Sequence, residues 1–126
     1  MTKEQALHAF WSSFGLKAWE QSTVPTGSDA PAFPYLTYEV VTGNIDAGQI
    51  MLTASLWYRG ESWAGINAKT REIATRLSGC GEVIRFDDGA IWIKQGVPFA
   101  QSMADPDDNM IRRKLLNTVC EYISQD

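Results

Sequence analysis

The sequence predicts an α+β domain: a mainly antiparallel sheet with two helices packed on one face, in the order α-β-β-α-β-β-β. Three observations predict it. Two segments place apolar residues at helical spacing, and each runs into a glycine, Gly15 or Gly79. Two pairs of alternating segments flank short turn-forming stretches, Gly43 to Gly48 and Asp87-Asp88-Gly89. Two long stretches, 16–33 and 95–109, hold Pro25, Pro31, Pro98 and Pro106 and read as loops of one domain spanning 1–126.

The first helix is expected from Lys3 to Phe14. Thr2 and Gln5 have the spacing of a capping box. Leu7, Phe10, Trp11 and Phe14 then form one aromatic-rich stripe. Leu16 to Phe33 is expected to be irregular. Tyr35 to Thr42 reads as a strand, with Leu36, Tyr38 and Val40 on one side. Gln49 to Tyr58 reads as its antiparallel partner, with Ile50, Leu52, Ala54 and Leu56 on one side and Thr53 and Ser55 on the other.

Ser62 is expected to cap a second helix whose stripe is Trp63, Ile66, Ile73 and Leu77. Glu82 to Phe86 and Ala90 to Lys94 form a hairpin around the Asp-Gly turn. Gln95 to Asn109 is expected to be irregular. Met110 to Ser124 fits two periods. Ile111, Leu115, Val119 and Ile123 suit a helix, whereas Leu116, Thr118, Cys120 and Tyr122 suit one strand face. A strand is chosen, because two hairpins need a partner to complete a sheet.

The chain has 126 residues, 44% of them hydrophobic, enough for a core that needs neither disulfides nor a structural metal. Its net charge is −4, with no block of Lys or Arg, which argues against tight nucleic-acid binding. The N-terminal residues lack the apolar stretch of a signal peptide, and no run reaches the ~18 apolar residues of a membrane span. Cys80 and Cys120 form no CxxC unit and read as two buried or partly buried thiols in a reducing, cytosolic setting.

The chemical motifs are incomplete. Gly60-Glu61-Ser62-Trp63-Ala64 approaches a nucleophile elbow, but Ala64 stands where glycine belongs, and the single histidine, His8, precedes rather than follows it. A small serine hydrolase using Ser62 is therefore the weaker reading, and a helix cap explains the serine. Asp105, Asp107 and Asn109 begin like a calcium loop, yet Met110 and Leu116 stand where the glycine and the bidentate glutamate should be. Gly79-Cys80-Gly81 follows a helix and reads as a turn, not a phosphate cradle. His8 has no metal-ligand partners in pattern. No catalytic residue, metal ligand or cofactor is expected.

Interfaces are the alternative to chemistry. Of the five tryptophans, Trp57 and Trp92 fall opposite the regular apolar strand faces, where aromatic side chains serve as interface anchors. Several phrases also form a combination: Phe33-Pro34-Tyr35-Leu36-Thr37-Tyr38-Glu39, Ser55-Leu56-Trp57-Tyr58, Ser62-Trp63, Gly89-Ala90-Ile91-Trp92-Ile93-Lys94, Gly96-Val97-Pro98-Phe99-Ala100-Gln101 and Ile111-Arg112-Arg113. In order and in chain length they resemble the tail-terminator (tail-completion) proteins of long-tailed phages and prophages of Gram-positive bacteria.

The resemblance implies an α+β subunit of the virion tail, made in the host cytoplasm, that closes into a ring, typically a hexamer. The ring caps the tail tube and meets the head-side connector. Its implied partners are other copies of itself, the major tail tube protein and that connector protein. Other neck and head-closure proteins, or a host-directed module carried by a prophage, are neighbouring readings. Trp57, Trp92 and Phe99 are the apolar interface candidates. Asp87, Asp88, Asp105, Asp107 and Asp108 are candidates for an acidic lumen that lets DNA slide past.

Overall fold

The computed structural model describes residues 1–40 and 48–123. Helix α1 spans Lys3–Ser12. The expected capping box is present: Thr2 Oγ1 accepts from the Gln5 amide at 3.2 Å, and Gln5 Oε1 accepts from the Thr2 amide at 2.9 Å. The helix ends two residues before the expected Phe14, because the Ser13 amide turns back to the Phe10 carbonyl. Gly15, with φ of 86°, then redirects the chain. All four stripe residues, Leu7, Phe10, Trp11 and Phe14, are buried.

The stretch expected to be one loop from Leu16 to Phe33 contains a strand. Strand β1, Lys17–Glu20, pairs in parallel with β2, Tyr35–Tyr38. Residues 21–34, with short 3₁₀ turns at Gln21–Thr23 and Gly27–Asp29, form the crossover that a parallel pair requires. The strand was not legible because only Ala18 of its four residues is fully buried. The element order is therefore α-β-β-β-α-β-β-β.

Strand β2 is also shorter than the expected Tyr35 to Thr42. The Glu39 carboxylate accepts from both the amide and the hydroxyl of Thr53, at 2.7 and 2.6 Å, and so intrudes where regular pairing would continue. Val41 and Thr42 of that expected strand, and most of the expected turn at Gly43 to Gly48, lie outside the described residues. Strand β3, Gln49–Arg59, pairs antiparallel with β2, as expected of the hairpin.

Helix α2 spans Ala64–Arg76. Ser62 stands one residue further from the helix than an N-cap, since Trp63 occupies that position. Its hydroxyl still accepts from the Ala64 amide at 3.0 Å and satisfies one of the free donors of the first turn. Strands β4, Glu82–Phe86, and β5, Gly89–Ala104, make the expected hairpin.

The expected loop from Gln95 to Asn109 is mostly strand. Pro98 does not end β5, because it falls within a bulge between Gln95 and Ala100, where the ladder to the next strand is interrupted. Gly96 allows the close approach there; a Cβ on it would lie 2.9 Å from the Asn117 carbonyl oxygen. Strand β6, Ile111–Tyr122, settles the ambiguous last segment as a strand.

The sheet order is β1-β2-β3-β6-β5-β4. Both helices cover one face. One core cluster joins Phe10, Trp11 and Phe14 of the α1 region and Ile66, Ile73 and Leu77 of the α2 region to Leu36, Leu56, Ile91, Ile93 and Leu116 of the sheet. Each fully buried leucine or isoleucine contributes about 1.5–3 kcal/mol. Replacement of Gly81 with alanine is expected to cost about 2 kcal/mol in chemical denaturation, since Gly81 has φ of 77° and a Cβ would come within 2.2 Å of the Ile93 carbonyl oxygen.

Candidate functional site

Side-chain alternation gives the sheet a second face, away from the helices. Residues Leu52, Ala54 and Leu56 of β3 point to the core, so Met51, Thr53, Ser55 and Trp57 point away. The same rule turns Leu116, Thr118, Cys120 and Tyr122 of β6 inward and Arg113, Leu115, Asn117, Val119 and Glu121 outward.

Trp57 stands in the middle of a row that crosses four strands. Its register partners are Tyr35 on β2 and Arg113 on β6, and Arg113 in turn lies opposite Met103 of β5. The Tyr35 and Trp57 rings stack with centroids 6.0 Å apart and planes 11° from parallel. The Arg113 guanidinium sits 4.6 Å from the Trp57 centroid. The indole is therefore packed between its cross-strand neighbours on β2 and β6.

Beneath this row lie two buried hydroxyls, each with a partner. The Trp57 indole N–H donates to Thr37 Oγ1 at 2.9 Å, and Arg113 donates to Ser55 Oγ from Nε and Nη2 at 3.2 and 3.1 Å. Burial raises the Tyr35 hydroxyl above its ordinary pKa, while the Arg113 charge pulls the other way. Tyr35 is thus a neutral hydroxyl at physiological pH.

Trp92 anchors a second group on the same face. The Lys94 ammonium lies 4.0 Å from its ring centroid, and its indole N–H donates to the Cys80 carbonyl at 2.5 Å. Lys94 also pairs with Glu121 at 3.4 Å, and Glu121 accepts from Gln49 at 3.0 Å. Those contacts, the Gln49 hydrogen bond first, hold the Glu121 carboxyl below its usual range. Lys17, Arg85, Lys94 and Arg113 share this face with Glu39 and Glu121. A chain of net charge −4 thus turns a cationic surface outward from its sheet.

The other expected interface residues behave differently. Phe99 is half-buried and packs against the core from the β5 bulge, so it is not a free anchor. The five aspartates do not form one patch. Asp87 and Asp88 make the turn before β5, and Asp105, Asp107 and Asp108 follow its far end. An extended strand of that length separates them by roughly 50 Å at ~3.3 Å per residue.

Several of these carboxylates have structural work. Asp87 pairs with the N-terminal ammonium at 2.6 Å. Asp105 Oδ1 accepts from the amides of Asp107 and Asp108, Asp108 Oδ1 accepts from Met110, and Asp108 Oδ2 pairs with Arg59 at 3.0 Å. The calcium-loop resemblance of Asp105, Asp107 and Asn109 is thus a self-bonded turn joining β5 to β6.

The residues of the hydrolase reading are engaged elsewhere. Ser62 serves α2, while His8 Nδ1 meets the Tyr38 hydroxyl at 3.1 Å and Nε2 meets Ser12 Oγ at 3.3 Å. No hydrogen bond joins Ser62 to His8 among the described residues. Gly79-Cys80-Gly81 forms a turn with positive φ at both glycines. Cys120 is buried as expected, but Cys80 is exposed, because that turn projects from the end of α2. Burial pushes the Cys120 thiol up to about 11.

Arg113, Tyr35 and Lys94 were not singled out in the sequence. Their alternation was readable, and with it Lys94 two residues along β5 from Trp92, but the cross-strand partners of Arg113 and Tyr35 were not, since register is a property of the assembled sheet.

Two outcomes are expected. A thiol reagent at neutral pH modifies one cysteine per folded chain, Cys80, and two after denaturation, counted by mass spectrometry. The Asp108 carboxyl, held below 3.8 by the Met110 amide first and Arg59 next, stabilises the fold fully above that value and loses its contribution as pH falls through its lower folded pKa. Acid titration of wild type against Asp108→Asn therefore shows a constant stability difference above pH ~4 that shrinks below it.

No family model matches the chain, and no curated protein or solved structure is significantly similar to it.

Proposed function

We propose that the chain is a structural subunit of a phage or prophage virion, of the tail-terminator type, that acts by assembling into a ring on the end of the tail tube. In this reading each copy touches its neighbours in the ring, the tube protein on one side and the head-side connector on the other. It works through surfaces and has no reaction to perform.

The observation that carries the reading is the sheet face turned away from α1 and α2, with its cross-strand row of Tyr35, Trp57, Arg113 and Met103. Such a row is rigid, because its rings and its guanidinium are fixed to one another and to Ser55 and Thr37. Pre-ordered aromatic and arginine side chains lose little entropy on docking, which favours their use as anchors for another protein. They suit nucleobases poorly, since base stacking needs a free ring face and the Trp57 ring already has Tyr35 and Arg113 against it. The resemblance of the sequence phrases quoted above, spread over nearly the whole chain, supports the tail-terminator type. In the ring, the acidic lumen would be drawn from one of the two aspartate turns, not from both together.

The purified chain, alone or co-expressed with the tube subunit, is expected to form closed rings, seen by multi-angle light scattering and negative-stain microscopy. A strict monomer under both conditions, up to millimolar concentration, would refute the assignment.

A further inference from the structure

The sheet has a stepped edge. Strand β4 pairs only with Gly89 to Ile93 of β5, while β5 continues to Ala104. Its far half pairs with β6 on one side, from Ala100 to Ala104. On the other side no strand lies against it among the described residues. Residues 99–104, Phe-Ala-Gln-Ser-Met-Ala, carry no charge and no proline, the usual protections of an exposed strand edge. At the opposite end of the sheet, the outer edge of β1 is likewise unpaired among the described strands.

We infer that these two edges are one contact: β1 of one copy pairs antiparallel with the far half of β5 of the next copy, so that the sheets join head to tail. The inference rests on the reading of the chain as a self-assembling subunit and names the surfaces that meet.

Strand sense supports it. β1 runs parallel to β2, and three antiparallel steps lead from β2 through β3 and β6 to β5. β1 and β5 therefore run in opposite directions within one copy. A second copy generated by rotation about an axis along the strands keeps its strand sense and its helix side. Its β1 arrives antiparallel to β5, with both helix layers on the same side of the joined sheet. Two different edges meeting this way make a heterologous contact, the kind that closes into rings.

Face and charge then select the register. Lys17 and Trp19 point to the open face, as does Met103, the partner of Arg113. Ala18 points to the core, as do Ala100 and the neighbouring even positions of β5. Pairing Trp19 with Met103 places Ala18 on Ala104, Glu20 on Ser102 and Lys17 beside Asp105. The ring of Trp19 meets a thioether, and Lys17 meets a carboxylate. Glu20 looks across the small Ser102 towards Lys114, the register partner of that serine. Lys114 lies over Trp63 at 5.7 Å and has no ion-pair partner within the copy among the described residues. A parallel pairing with Trp19 on Met103 would instead set Lys17 on Gln101, four residues from Asp105, and lose that ion pair.

The test uses full-length protein carrying Cys80→Ser, which removes the exposed native thiol. The pair Lys17→Cys with Asp105→Cys is expected to give a reducible ladder of dimers, trimers and larger multimers on mild oxidation. The pair Trp19→Cys with Met103→Cys, which leaves the Asp105 turn intact, is expected to do the same. The single variants stop at the dimer. Met103→Lys, placing a charge on the free edge, raises the concentration of half-assembly about tenfold. Protein that assembles by light scattering but yields no ladder from either pair overturns this contact and leaves the assembly reading standing. Protein that never assembles overturns both.

Discussion

The period of two along β3 and β6 is the constraint on which the rest of this structure depends. These strands pair without interruption from Gln49 opposite Glu121 to Arg59 opposite Ile111. Along that ladder, even positions go to the helices and odd positions to the other face. A slip of one residue would bring Trp57 and Arg113 into the core and expel Leu56 and Leu116. The buried Thr118 hydroxyl adds a further lock, donating to the Leu52 carbonyl at 2.8 Å. The core and the outer row are thus fixed by the same pairing and cannot be tuned separately.

The two faces solve different problems. On the helix side the sheet is covered by aliphatic and aromatic side chains whose burial drives folding. On the other side small hydroxyl residues, Thr37 and Ser55, are buried beneath larger neighbours. Burying those hydroxyls without partners would cost roughly 1–3 kcal/mol each. Trp57 and Arg113 supply the partners and at the same time cover them. A face built this way stays ordered before anything docks on it.

Much of this was readable from the residues. The α1 stripe and the β2–β3 and β4–β5 hairpins followed from local spacing and turn chemistry, whereas the strand in the last segment followed from the need of two hairpins for a partner. The departures have physical causes of a non-local kind. β1 is a four-residue edge strand that exists because β2 offers it a parallel partner. The far half of β5 was hidden because Pro98 reads as a breaker, and only a bulge opposite Gly96 and Asn117 lets the strand pass it. Aspartates that read as one acidic group were divided by the length of the strand between them. Trp57 and Trp92 do lie on the open face, yet the cation on Trp57, Arg113, comes from a neighbouring strand, while that on Trp92, Lys94, stands two residues along the same one.

The Cys80 turn carries a consequence for observing the molecule. Its carbonyl holds the indole of Trp92, so the exposed thiol sits beside one of the outward-facing fluorophores. A dye attached to that sulfur becomes an energy acceptor for Trp92 emission without any engineered position. When another surface covers the sheet, water leaves the indole and its emission moves to the blue. The native chain thus carries a donor and an attachment point that report, in real time, whether its outer face is wet or occupied.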